Sequence, residues 1–310
     1  RLYLHFIKRQ HFGSKARMKC KQILKESAMQ KPYVFSRLTL SLIQAHSMSA
    51  NKAPLRLRFL RLARMAAWLF ATGCDLRKID GDSPQERDQA IIKLGSGALK
   101  ALGIKLDVAT PPEHFHVSGT LVVANHVSWL DIFALSALYP SSFIAKQEIS
   151  RWPVLGKMGR NAGTVFINRN SRKDIEPIKK AVTAALQQGQ NVSFFPEART
   201  SNGEAVLPFK AALYQAAIDS GSAIQSIALR YYDHQGRRTT APSYAGSMNL
   251  FRSLWRIVSM PEIHVRVDFA KPLNPQDYPG IDRYMLKEQS EQFVRSKVME
   301  DSPLTADAAA

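Results

Sequence analysis

The run Asn125-His126-Val127-Ser128-Trp129-Leu130-Asp131 puts an imidazole and a carboxylate five positions apart, directly after the apolar stretch Leu121-Val122-Val123-Ala124. Such a pair suits general-base chemistry. The carboxylate fixes the imidazole tautomer and stabilises the imidazolium that forms. A histidine titrates near ~6.5, so it can accept a proton at neutral pH. On one continuous helix, five steps turn through about 500° and leave the two side chains about 140° apart, too far to meet. They meet if His126 lies in a strand-to-helix loop and Asp131 in the first helical turn, with Ser128 as N-cap. The bland alternative makes Asp131 a helix cap and His126 a satisfied polar loop residue.

Two further clusters sit at expected strand ends. The loop Phe194-Phe195-Pro196-Glu197-Ala198-Arg199-Thr200-Ser201-Asn202-Gly203 gathers an acid, an arginine and two hydroxyls. A guanidinium fork can hold a phosphate by two parallel bonds, and hydroxyls add donors. Lys210 follows, just inside the helix expected over residues 209–219. The segment Gly163-Thr164-Val165-Phe166-Ile167-Asn168 ends in Arg169, with Arg172 nearby. Each cluster alone reads equally well as a polar turn with solvated charges. Three strand ends with complementary groups argue for one shared site.

Those loops need elements to hold them. Ile91, Leu94, Leu99 and Leu102 give residues 84–102 a helical face, and Gly103 stops it. A buried strand is expected at 121–124, a helix at 128–138, and strands at 142–145 and 163–168. Ser171 and Asp174 have capping-box spacing ahead of a helix facing inward through Ile175, Ile178, Val182 and Leu186, closed by Gly189. Strand 192–195, helix 209–219, strands 224–232 and 263–269, and helix 282–298 complete the reading, with 301–310 as a frayed tail. Alternation through 120–232 predicts a layered α/β domain with a mostly parallel central sheet flanked by helices. In such sheets ligands gather where strands end.

Ahead of that domain, Leu55, Leu57, Phe59, Leu60, Leu62, Met65, Trp68 and Leu69 interleave with Arg56, Arg58, Arg61 and Arg64. This predicts a basic amphipathic helix in a bilayer interface. The alternative is a surface helix packed on the domain with its arginines in solvent. The expected division is a basic leader at 1–54, a membrane-interface segment at 55–83, the α/β domain at 84–300 and the tail at 301–310.

The chain has 310 residues, 45% hydrophobic and 22% charged, which is globular composition with core enough for such a domain. The net charge of +18 is uneven: residues 1–64 carry +14, with Glu26 as their single acid, and the rest carries +4. A basic leader on a nearly neutral body seeks an anionic surface, lipid or nucleic acid. No stretch reaches the ~18 apolar residues of a spanning helix. Met18 and Met48 read as alternative starts, with 1–47 as an upstream extension. Cys20 and Cys74 form no metal or redox pattern.

Residues 119–232 resemble the 1-acyl-glycerol-3-phosphate acyltransferases, the lysophospholipid acyltransferases of membrane lipid synthesis. Asn125, His126, Ser128 and Asp131 match the family's N-H-x-S-x-x-D motif. Ile167, Asn168 and Arg169 match its second motif, and Phe195, Pro196, Glu197, Thr200 and Ser201 its third, F-P-E-G-T-[RT]-S. The similarity extends over roughly residues 55–275. It implies His126 as base, Asp131 as its orienting partner, and Arg169, Arg199 and Lys210 around an acceptor phosphate. Glu197 would order that arginine shell or bind the acceptor's glycerol, with Thr200 and Ser201 beside it. The acyl donor would be acyl-CoA or acyl-carrier protein, the acceptor a lysophospholipid, with no cofactor and no metal. The chain would work on a membrane lipid surface at the cytoplasmic face of a bacterial inner membrane.

Two departures matter. Ala198 and Arg199 replace the motif's Gly and Thr, so a left-handed residue 198 would be strained. Ser226 stands where the fourth motif carries Pro. A lyso-ornithine lipid is the alternative acceptor. Rival classes fare worse. There is no G-x-S-x-G elbow, no third glycine after Gly95-Ser96-Gly97 and no H-E-x-x-H. His114 and His116 alone make a poor metal site. A net +4 outside the leader argues against a nucleic-acid partner, which leaves a non-catalytic membrane adaptor as the alternative of another class.

Overall fold

In the computed structural model, residues 52–75, 84–111, 118–152, 155–161, 164–167 and 175–307 are described. The elements run α1 (Leu55–Asp75), α2 (Pro84–Leu102), β1 (Ile104–Thr110), β2 (Leu121–Ala124), α3 (Leu130–Leu138) and β3 (Ser142–Lys146). They continue with α4 (Leu155–Asn161), β4 (Val165–Ile167), α5 (Ile175–Gln187), β5 (Val192–Phe194), α6 (Gln215–Ser220) and β6 (Ile224–Asp233). The last are α7 (Leu250–Ser259), β7 (Ile263–Phe269), α8 (Arg283–Met299) and α9 (Pro303–Asp307).

The strands form one sheet in the order β1-β7-β6-β2-β5-β3-β4. β4, β3, β5, β2 and β6 are mutually parallel, and β7 lies antiparallel on β6, with β1 parallel to β7. This is the expected α/β layering. Period-two alternation divides the core between the two faces. Val122, Ala124, Leu229 and Tyr231 pack with α2, α3 and α7, whereas Leu121, Val123 and Ala228 pack with α5, α6 and α8. All four residues of β2 are buried, as its uninterrupted apolar run requires at the centre of the sheet.

Several expectations need correcting. β1 pairs with β7 along Ile104–Thr110, a strand the charged residues Lys105 and Asp107 disguise. The helix expected over 209–219 starts only at a 3-10 turn, Ala212–Tyr214, so Lys210 stands in an extended loop. The tail is not frayed through residue 307. α9 forms there, and Asp301 bonds Arg230, Arg238 and Tyr232.

α1 belongs to the same compact unit as the sheet, which spans Ala53–Ala310. Leu62, Met65 and Trp68 pack onto the core. Arg61 breaks the expected outer stripe of arginines. It is buried, and its guanidinium donates to the carbonyls of Val258, Met260 and Pro261 at the end of α7. The outer face of α1 still exposes Leu55, Phe59, Leu60 and Phe70. Among the described residues no helix is long and apolar enough to cross a membrane. The leader through residue 51, His114, His116 and Arg169 lie outside the described residues.

Candidate active site

β2 ends at Ala124, and the chain turns through residues 125–129 before α3 begins. Asn125 secures the exit. Its buried amide donates to the Leu229 carbonyl at 2.9 Å and accepts from the Leu229 N–H at 2.8 Å, which extends the β2–β6 ladder by a side chain.

Asp131 lies in the first turn of α3 and reaches back, as the spacing argument requires. The helix starts two residues later than expected. Ser128 precedes the N-cap position, and its Oγ accepts from Leu130 N at 3.3 Å. Asp131 Oδ2 accepts from the N–H groups of Val127 and Ser128, at 2.7 and 2.8 Å, and faces His126 Nδ1 at 2.9 Å. That oxygen already takes two donors, so the ring nitrogen is the donor there. The proton of a neutral imidazole therefore sits on Nδ1, which places the lone pair on Nε2. Asp131 is fully buried, while 16% of the His126 side chain is exposed.

Two aromatic residues complete the holder. Phe195, directly after β5, stacks on the imidazole with centroids 3.9 Å apart and planes 8° apart. Tyr231, on β6, donates its hydroxyl to Asp131 Oδ1 at 2.5 Å. Burial, with the charge of Asp131 beside it, holds the Tyr231 phenol well above its ordinary range, so it remains a proton donor. Sequence reasoning missed Tyr231. Its one visible signal is a polar group inside a strand whose neighbours are buried.

Among the described residues the Glu197 carboxylate meets backbone N–H groups and no arginine. It bridges two backbones: Oε1 accepts from His126 N at 2.6 Å and Oε2 from Leu207 N at 2.9 Å. Burial pushes the carboxyl up to about 7. The two N–H bonds pull it back, and the carboxylates of Asp131 and Glu291 add to the rise. Thr200 and Ser201 also serve the loops. Thr200 Oγ1 donates to Tyr244 O at 2.8 Å, and Ser201 N and Oγ both donate to His126 O, at 2.8 and 3.3 Å. Tyr244 N in turn donates to Val127 O at 2.8 Å. The segment around residue 244, unremarked in the sequence, thus ties the two loops together. Gly203 has φ +84°, and a Cβ there would meet Val127 Cγ1 at 3.1 Å, so the loops pack backbone against side chain.

Ala198 adopts φ 58°, and among the described residues no other non-glycine has positive φ. The strain expected from the departure at this position is present. Arg199, one residue on, is exposed, and so is Lys210. Lys210 N donates to Pro196 O at 3.0 Å, which holds its stretch against the same loop. Two exposed cations therefore flank a loop that is hydrogen-bonded to the imidazole's own backbone. Among the described residues no group of three metal-ligating side chains occurs.

A family model described as Acyltransferase matches residues 109–230. The chain is 59% identical over 258 residues to the 1-acyl-sn-glycerol-3-phosphate acyltransferase of Neisseria meningitidis serogroup B, across 83% of this chain and 99% of that protein. It is 37% identical over 175 residues to the lyso-ornithine lipid O-acyltransferase of Pseudomonas aeruginosa, across 56% of this chain and 66% of that protein. In fold it matches the crystal structure of the 1-acyl-sn-glycerophosphate acyltransferase of Thermotoga maritima with TM-score 0.57 at 22% identity, covering 79% of this chain and 95% of that one.

Proposed function

The chain belongs to the 1-acyl-sn-glycerol-3-phosphate acyltransferases, and from that premise we propose that it moves a fatty acyl group from a thioester to the sn-2 hydroxyl of 1-acyl-glycerol-3-phosphate, giving phosphatidic acid, with His126 as general base. The observation that carries this reading is the Nδ1–Asp131 bond, which leaves Nε2 as the basic nitrogen.

His126 Nε2 takes the proton of the acceptor hydroxyl. The oxygen attacks the thioester carbonyl of acyl-CoA or acyl-carrier protein, and a tetrahedral oxyanion forms. As it collapses, the C–S bond breaks, the new ester C–O bond remains, and the imidazolium returns its proton to the departing sulfur. No covalent acyl-enzyme is required. Asp131 stabilises the imidazolium, and Tyr231 and the two backbone N–H groups keep Asp131 in place. Arg199 and Lys210, with Arg169, supply positive charge for the acceptor phosphate. Glu197 acts as a clamp between the loops. The basic leader and the outer face of α1 hold the domain on anionic lipid, at the cytoplasmic face of the inner membrane.

A lyso-ornithine lipid acceptor is the second reading. It draws on the Pseudomonas aeruginosa relative, which is less similar over a shorter stretch than the neisserial one. The test is thioester release by purified wild type and His126→Ala, with lysophosphatidate or lyso-ornithine lipid as acceptor and acyl-CoA or acyl-carrier protein as donor. His126→Ala should lose at least about a hundredfold in kcat. Near-wild-type turnover by a folded variant removes the mechanism, and faster turnover of lyso-ornithine lipid by the wild type favours the second reading.

A further inference from the structure

α7 was not expected from sequence, and its outer face is unlike that of an ordinary surface helix. Ser253, Ile257 and Val258 are buried against the domain. Outward stand Phe251, 87% exposed, and Trp255, 43% exposed, interleaved with the exposed Arg252 and Arg256. A shallow groove runs among these four side chains and Met248. The helix Leu250–Ser259 contains no acid to pair with its arginines. Arg256 donates to the Thr240 carbonyl at 3.3 Å, and large apolar rings left in water beside arginines with no acid on their helix mark a surface that is covered in use.

The position of α7 is as telling as its composition. Ser253 Oγ accepts from Trp129 Nε1 at 3.0 Å, and Trp129 lies in the turn between His126 and Asp131. The Arg58 guanidinium lies over the Trp255 ring at 5.6 Å, so the faces of α1 and α7 adjoin. Phe59 and Phe70 on α1 are 61% and 77% exposed.

We propose that α7 is a second lipid-docking element, in the C-terminal half of the chain, which seats the active-site side of the domain on an anionic bilayer. This rests on the reading of the chain as an enzyme of membrane-resident acceptors. Phe251 and Trp255 enter the boundary between headgroups and acyl chains, where an aromatic ring is favoured. Arg252 and Arg256 pair with lipid phosphates. Charge complementarity selects the occupant. An acid-free basic and aromatic face suits anionic lipid, and repels a second copy of itself.

The experiment uses the full chain with vesicles of phosphatidylcholine alone or with 30% phosphatidylglycerol, the variants being the double change Phe251→Ser with Trp255→Ser and the single, fully surface change Arg252→Glu. Partition onto the anionic vesicles should fall on the order of tenfold for the double variant and several-fold for Arg252→Glu. Turnover of vesicle-borne acceptor should fall in proportion, while turnover in detergent micelles stays within about twofold. Unchanged partition overturns the proposal, and so does equal binding of wild type to neutral vesicles. Equal loss in micelles and vesicles assigns the face to the catalytic machinery instead. A wild-type dimer in light scattering that the double variant converts to monomer assigns it to a second copy. An inactive wild type would sink the acyltransferase reading while the partition result still stood on its own.

Discussion

The hydroxyl of Tyr231 meets Asp131 Oδ1 at 2.5 Å from a residue 100 positions further along the chain. It joins the interior strand β6 to the helix that carries the carboxylate. In the proposed mechanism Tyr231 is a positioning residue that acts on His126 through Asp131. In Tyr231→Phe, Asp131 keeps its two backbone donors but loses the donor on Oδ1. The freed negative charge then favours the imidazolium more strongly. The acid limb of the kcat profile should therefore move to higher pH, with kcat lower by about three- to tenfold and both KM values unchanged. One buried oxygen without its partner also costs about 1–3 kcal/mol of stability. A loss of stability with an unmoved pH profile would make Tyr231 a packing residue only.

Glu197 gives the stability curve a sign that can be checked. Its folded pKa of about 7 lies above the ordinary carboxyl value of 4.5, so the folded state binds its proton more tightly than the unfolded chain does. The stabilisation from that proton is complete below about pH 4.5 and is lost as pH rises through about 7. The full excursion is on the order of 3 kcal/mol. Glu197→Gln removes the titration and leaves one of the two N–H donors facing an amide NH2. Urea unfolding should show the wild type's advantage over Glu197→Gln shrinking from pH 5 to pH 8. An advantage that grows over that range would contradict the raised pKa.

Ala198 holds φ 58° in the turn that presents Arg199. An L-residue pays roughly 1–2 kcal/mol there, which glycine does not. The greater freedom of glycine in the unfolded chain takes back part of that gain. Ala198→Gly should stabilise the domain by about 0.5–1 kcal/mol and raise Tm by a degree or more. A lowered Tm would show that the alanine methyl is held by contacts worth more than the strain.

Arg199 stands exposed beside the clamp. Arg199→Ala should raise KM for the phosphate-bearing acceptor by about tenfold and leave donor KM within about twofold. Equal effects on both substrates would remove it from phosphate binding.

What could be read in advance followed from local chemistry. The His126–Asp131 encounter was legible because a strand exit and a helical turn are written into adjacent residues. β2, β5 and α5 were legible because burial on both faces or on one leaves an unbroken or periodic apolar pattern. The missing parts depend on distant partners. Tyr231 and Tyr244 meet the loops only after the sheet is assembled. The bonds from His126 N and Leu207 N to the two oxygens of Glu197 join residues 71 and 10 positions away and leave no local mark in the sequence. Arg61 looks like its neighbours Arg58 and Arg64 until the open carbonyls at the end of α7 are placed beside it.

The end of the chain bears on the centre of the sheet. The buried guanidinium of Arg230 is met by Asp268 at 2.8 Å, Glu300 at 3.0 Å and Asp301 at 3.2 Å. Two of its three anionic partners therefore come from the last dozen residues. A protease that cut after Met299 would strip them away and leave that cation answered by Asp268 alone, one step along the backbone from the tyrosine that steadies Asp131. Trimming that looks cosmetic from outside would reach His126 through a single strand.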